Sequence, residues 1–155
     1  MDVGERLRRV YRWPAGPWLV ARAIAFTAPY SASIRPRIIE LSDGVARVAL
    51  ADRRSVRNHL ASIHACALAT LTETTVGLSV LFTLPPEVRG IATELEMSYR
   101  RKARGTITAS CRWKLPQLSP SADLDIPVAL DDADGQRVAD GRVRFRFSAK
   151  PARRP

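Results

Sequence analysis

The sequence predicts an α+β fold: a long central helix wrapped by a curved antiparallel sheet, with a helical segment ahead of both. Two observations predict it. Residues 60–84 form one long apolar stretch that contains a single carboxylate, Glu73, and a single histidine, His64. The chain after this stretch reads as segments that alternate apolar and polar residues with period two, the signature of half-buried strands. A sheet whose apolar face surrounds one helix accounts for a helix that is uncharged on both sides. At 155 residues the chain suits a single domain with its own core.

Residues 1–33 read as a helical segment. Leu7, Val10 and Tyr11 recur at helical spacing, and residues 18–26 form a second short helix bracketed by Pro14, Pro17 and Pro29. The core of the domain is expected over residues 34–149. PRIIEL and GVARVAL follow, and Ser42-Asp43-Gly44 between them predicts a tight hairpin. In the long element Leu60, Ile63, Ala67, Leu71 and Leu78 fall on one helical stripe. Cys66, Ala69, Thr70, Glu73, Gly77 and Val80 form the opposite one, so burial all round is expected. Pro85-Pro86 ends it.

Strands follow. In TELEMSY, Thr93, Leu95, Met97 and Tyr99 face one way and Glu94, Glu96 and Ser98 the other. TITASCRWKL alternates through Ile107, Ala109, Cys111, Trp113 and Leu115, after a turn at Arg104-Gly105. Leu124, Ile126, Val128 and Leu130 make a third strand. Asp134-Gly135 turns the chain into RVRFRF, with Val143, Phe145 and Phe147 on one face and three arginines on the other. PQLSPSAD reads as a loop, and residues 150–155 as a frayed tail.

The formal charge is +10, from 25 basic residues, nearly all arginine, against 15 acidic ones. Such a balance suits an anionic ligand, a nucleic acid or an anionic membrane, and charge alone does not choose among them. The bases are spread along the chain, with a modest concentration at Arg142, Arg144, Arg146, Lys150, Arg153 and Arg154. No tract interleaves basic and aromatic residues as RNA-binding strands do, so nucleic acid has charge as its sole support. No signal-peptide h-region opens the chain, and the longest uncharged run, Thr74 to Pro86, is too short to span a bilayer. Two cysteines, Cys66 and Cys111, make neither a C-x-x-C site nor a disulfide framework. A cytoplasmic protein with no membrane partner, no metal and no redox cofactor is expected.

The chemistry concentrates on the long helix. Ser62 is a plausible N-cap, which places the unpaired N–H groups of Ile63, His64 and Ala65 at the positive end of the helix dipole. Such a site favours negative charge developing on a carbonyl oxygen. Glu73 lies about two and a half turns on, roughly 13 Å along the axis. That distance suits a site built across a dimer interface better than one within a single subunit. On its own residue type, Glu73 also suits a structural acceptor or an ion pair with an arginine across that interface. Burial would raise its carboxyl pKa into the range of a useful base.

Asn58, His64 and Glu73, in the pattern N-x-x-x-x-x-H-x-x-A-L-x-x-x-x-E, resemble the central-helix signature of hot-dog-fold acyl-CoA thioesterases of the phenylacetyl-CoA thioesterase-like group. That family has an Asn, then His-Gly-Gly, then an acidic residue nine positions after the His. SYRRKARGTITASC resembles its strand running into an Arg-Gly turn, and the likeness extends from about Ile34 to Phe147. RNHLASIHACAL resembles an uncharacterised branch of the superfamily.

The resemblance implies a hot-dog fold and roles for named residues. Glu73 is general base or nucleophile, the Ala65 N–H polarises the thioester carbonyl, and Asn58 and His64 orient substrate or water. His-Gly-Gly is His64-Ala65-Cys66 here, so the added side chains of Ala65 and Cys66 are expected to narrow the substrate pocket. Arg100, Arg101, Lys102 and Arg104 sit where related enzymes hold the coenzyme A nucleotide, and Arg suits phosphate through its fixed fork of donors. A small or medium acyl-CoA substrate, coenzyme A as the only cofactor-like moiety, and a homodimer or homotetramer are implied. A hot-dog protein that binds acyl-CoA or fatty acid without turnover is the alternative. A hydratase would place Asp and His together at the helix start, whereas the one carboxylate here is mid-helix.

Overall fold

The computed structural model describes residues 3–150. Three helices come first: α1 (Val3–Tyr11), α2 (Gly16–Thr27) and α3 (Pro29–Ser33). A hairpin of β1 (Arg37–Ser42) and β2 (Val45–Leu50) precedes α4 (Ala65–Thr83). After α4 come β3 (Val88–Tyr99), β4 (Ile107–Arg112), β5 (Ser121–Asp131) and β6 (Arg137–Ala149). The six strands make one antiparallel sheet in the order β1-β2-β4-β5-β6-β3. The sheet curls around α4, which touches all six strands. The expected α+β architecture of a helix wrapped by an antiparallel sheet is the one observed. The tail at residues 151–155 lies outside the described residues.

Turn chemistry fixes the hairpins. Gly44 and Gly135 both take positive φ, 67° and 75°, where a side chain would be strained. Asp132 accepts from the backbone N–H groups of Asp134 and Gln136 and closes the second turn. The core lies between α4 and the sheet. Leu71 and Val76 meet Val48, Leu50, Ile107 and Phe147, all fully buried or nearly so. Trp113 stacks on Phe147 at 5.4 Å and donates its indole N–H to Ser79 Oγ, tying β4 to the helix. The buried hydroxyls of Thr70, Thr72 and Thr75 donate to carbonyls one turn back, so α4 carries them at low desolvation cost. Among the described residues α4 is the one helix long and apolar enough to cross a membrane, but more than half of it is buried within the protein.

Two expectations about α4 are corrected. It begins at Ala65, not near Leu60, and its N-cap is His64, whose Nδ1 accepts from the Cys66 N–H at 3.0 Å. Ser62 instead belongs to a preceding loop. Its hydroxyl donates to Asn58 Oδ1 and its carbonyl accepts from the Asn58 N–H. Nor is the helix buried all round. Cys66 and Leu81 are exposed, and Ala69, Glu73 and Gly77 are half-buried, so one stripe at i, i+4 spacing stays open. The sheet encloses the other sides, and α1 to α3 flank part of this stripe without closing it.

Candidate functional site

Four clefts divide the candidate residues. At the start of α4, a cleft of about 260 Å³ is lined by Asn58, Ala65, Tyr99, Arg100, Arg101 and Lys102, among others. The backbone N–H groups of Ile63 and His64 donate to Ala103 and Val56 carbonyls, and that of Cys66 donates to His64. Among the first-turn donors, the Ala65 N–H alone has no partner among the described residues. Tyr99, which no sequence motif singles out, donates its hydroxyl to the Ala65 carbonyl at 3.2 Å and walls the same cleft.

The other residues of this end have definite tasks. Asn58 Oδ1 accepts from the Leu60 N–H at 2.9 Å and from the Ser62 N–H and hydroxyl at 3.3 and 3.2 Å. It therefore shapes the loop that leads into α4, and only its amide N–H₂ is left for a ligand. Arg100 is paired with Asp140, and Arg101 donates to Gln136. Lys102 and Arg104 carry no such partner among the described residues. Arg104 lies near Asp52, whose carboxyl is held below its usual range, first by the Arg57 guanidinium and also by the Gly105 N–H.

His64 and Cys66 line a different cleft, with Tyr30, Ile34 and Arg57. Glu73 opens into neither. It lies between two further clefts. One, about 440 Å³, runs over Val80, Leu84, Gly90 and Phe145 to Arg89 and Lys150. The other, about 150 Å³, is walled by Ile24, Thr27, Ala28 and Ser31 of the N-terminal helices. The carboxylate has no hydrogen bond or ion pair among the described residues. Partial burial pushes its pKa up from the ordinary carboxyl value. Gly77, one turn on, leaves it uncrowded: a Cβ there would lie 3.8 Å from Glu73 Oε1. Thr74, another residue that the sequence did not single out, lines the smaller cleft, and its buried hydroxyl has no partner. Among the described residues no cluster of three metal-ligating side chains occurs.

A single chain thus gathers Asn58, Ala65, Arg100, Arg101 and Lys102 at one end of α4, His64 and Cys66 around its corner, and Glu73 apart from both. The family model described as a domain of unknown function, DUF4442, matches residues 16–146. The chain belongs to the DUF4442 family. Solved structures share the fold of this DUF4442 chain. A structural-genomics target protein is 27% identical with a TM-score of 0.82, covering 96% of this chain and 99% of its own. A Pseudomonas aeruginosa protein of unknown function described as "Probable Thioesterase" is 22% identical, with a TM-score of 0.77 over 86% of this chain and 97% of that one. The Escherichia coli PaaI protein of the phenylacetic acid degradation operon is 17% identical, with a TM-score of 0.66 over 83% and 91%. At the last two identities the likeness speaks for the fold. No curated protein matches the DUF4442 chain in sequence.

Proposed function

We propose that this chain hydrolyses a small or medium acyl thioester of coenzyme A at a site completed by a second copy of itself. The observation that carries the reading is Glu73, a half-buried carboxylate with a raised pKa and no partner among the described residues, set beside a glycine and between two clefts. A structural acceptor would have donors, and an intrachain ion pair would have a cation. Superfamily neighbours described as thioesterases support the same reaction class.

As general base, Glu73 takes a proton from water. The water oxygen then attacks the thioester carbonyl, the oxyanion accepts from the Ala65 N–H, and the C–S bond breaks as the thiolate leaves and is protonated. As nucleophile, Glu73 attacks the carbonyl itself, the C–S bond breaks as the thiolate leaves and is protonated, and water hydrolyses the resulting anhydride to free acid and the Glu73 carboxylate. In either case Asn58, through its amide N–H₂, and His64, through Nε2, orient substrate or water. Cys66 bounds the acyl pocket. Arg100, Arg101, Lys102 and Arg104 hold the nucleotide phosphates. The chemistry draws on a carboxylate, an amide and water, with coenzyme A present as part of the substrate, and two free thiols fit a reducing cytoplasm.

The second copy is part of the reading because Glu73 and the Ala65 N–H open into separate clefts and lie roughly 12 Å apart along one helix. β3 is a twelve-residue edge strand with one side unpaired, and it exposes Ile91, Leu95 and Tyr99. Pairing β3 with β3 of another copy would remove that edge and bring the open stripes of two α4 helices together. A homodimer is the minimum, and a homotetramer adds a second such pair.

One observation favours the alternative, acyl-CoA or fatty-acid binding without turnover. The Cys66 N–H is engaged by His64, which leaves one free amide donor where an oxyanion hole commonly uses two. Thiol release from short, long and aromatic acyl-CoAs, with Glu73→Ala beside the wild type, decides between them. Turnover that falls at least about 100-fold in a folded, equally oligomeric variant is expected. Tight binding with no turnover by either protein would establish the binding module instead.

A further inference from the structure

The N-terminal helices carry a surface that the proposed hydrolysis does not use. Trp18, Arg22 and Phe26 follow one another at i, i+4, i+8 on α2 and so share one face of that helix. Trp18 is 64% exposed and Phe26 79%, and the Arg22 guanidinium lies 5.8 Å from the Phe26 ring centroid. Trp13 just before α2 and Tyr30 just after it are 63% and 72% exposed. Large aromatics so open to water, clustered in eighteen residues, are not explained by core packing, because α2 packs inward through Val20 and Ile24.

The net charge on this segment is strongly positive. Residues 1–37 hold seven arginines against Asp2 and Glu5, which places +5 of the chain's +10 in less than a quarter of its length. Arg6, Arg9, Arg12, Arg35 and Arg37 are exposed and have no ion pair among the described residues. The sheet is different. Arg142, Arg144 and Arg146 are neutralised by Glu94, Glu96, Asp123 and Asp125 across β3, β5 and β6. The basic concentration visible in the sequence of β6 is therefore neutralised within the molecule, whereas the arginines of the N-terminal segment stay unpaired among the described residues.

We propose that α1 and α2 dock this protein on the surface of an anionic phospholipid bilayer. Trp and Phe seat in the headgroup region, and the surrounding arginines meet lipid phosphates. No span is involved: an interfacial helix needs one apolar face and not a long uncharged run. A nucleic acid would meet the same arginines but gives the largely exposed Phe26 no apolar environment. The inner sides of α2 and α3 wall the smaller Glu73 cleft, so the element that seats on lipid also borders the site.

The test is sedimentation of the full chain with phosphatidylcholine vesicles and with vesicles of phosphatidylcholine and phosphatidylglycerol, without acyl-CoA, so that its outcome is independent of any thioesterase activity. The wild type is expected to pellet with the anionic vesicles and to lose about tenfold or more in affinity when salt is raised from 0.05 to 0.5 M. Trp18→Ser/Phe26→Ser, both exposed positions, and Arg6→Glu/Arg12→Glu are each expected to lower binding by a similar factor, with unchanged melting temperature and oligomeric state. Failure to pellet, equal pelleting by both double variants, a preference for nucleic acid competitor, or a change of oligomeric state in the Trp18/Phe26 variant would each overturn the proposal.

Discussion

At the scale of single residues, Glu73 dominates. Burial raises its carboxyl pKa above the ordinary value of 4.5, so the neutral form is the one the fold favours. The sign follows from linkage. The stability this group contributes is present below the unfolded-state pKa and is lost as pH rises through the raised folded value. Glu73→Gln is therefore expected to match the wild type in urea unfolding at pH 4 and to be the more stable protein at pH 8. Equal stability at both values would mean that the carboxylate is well solvated. The neighbouring glycines differ in what they tolerate. At Gly77 a methyl group would meet nothing nearer than 3.8 Å, so Gly77→Ala should stabilise α4 by up to about 1 kcal/mol while intruding on the cleft. At Gly90 it would lie 2.9 Å from Phe147, which is fully buried and stacked between Trp113 and Phe145. Gly90→Ala should cost about 1–3 kcal/mol, read as a shift in urea midpoint.

Elements show where sequence patterns succeed and where they mislead. The strands were legible because burial on one face forces period two. Leu124, Ile126, Val128 and Leu130 fall as expected on β5, and Val143, Phe145 and Phe147 on β6. The start of α4 was not legible. Ser62 has the residue type of an N-cap, but the backbone there is tied by Asn58, by Ala103 and by Val56, and a histidine ring nitrogen takes the capping role two residues later. Those ties involve residues up to forty positions away in sequence, which no local pattern encodes. The C-terminal end of α4 has a comparable long-range partner. Arg8 of α1 donates to the Phe82 carbonyl at 2.6 Å and reaches that of Leu84 at 3.5 Å, at the negative end of the helix dipole. Tyr11 packs edge-on against Phe82 at 5.7 Å. Arg8→Ala should thus destabilise by about 1–2 kcal/mol, and Arg8→Met, which keeps the aliphatic stem, should recover only a part. An unchanged melting temperature in both would show that α1 contributes nothing to the end of the core helix.

For the whole molecule, the decisive question is whether the site is shared. Residue types and the nine-residue spacing from His64 to Glu73 were legible in the sequence, but the separation of Glu73, His64 and Ala65 into distinct clefts was not, because it depends on which stripe of α4 the sheet leaves open. If one active centre takes Glu73 from one copy and the Ala65 N–H from another, two dead variants should rescue each other. Glu73→Ala removes the base. Ala65→Pro removes the amide hydrogen, and proline is well tolerated at the first position of a helix. His64 before it already has φ −65° and ψ 141°, the extended conformation that a following proline prefers. Each variant alone is expected to be inactive and folded. Mixed in equal amounts under conditions that exchange subunits, half of the dimers become hybrids. Each hybrid holds one centre with both lesions and one with neither, so activity should recover to about a quarter of wild type. A site contained within one chain predicts no recovery at any mixing ratio, since every chain then carries its own lesion. Recovery that appears only after exchange, and scales with the hybrid fraction, assigns Glu73 and Ala65 to opposite subunits of the same centre.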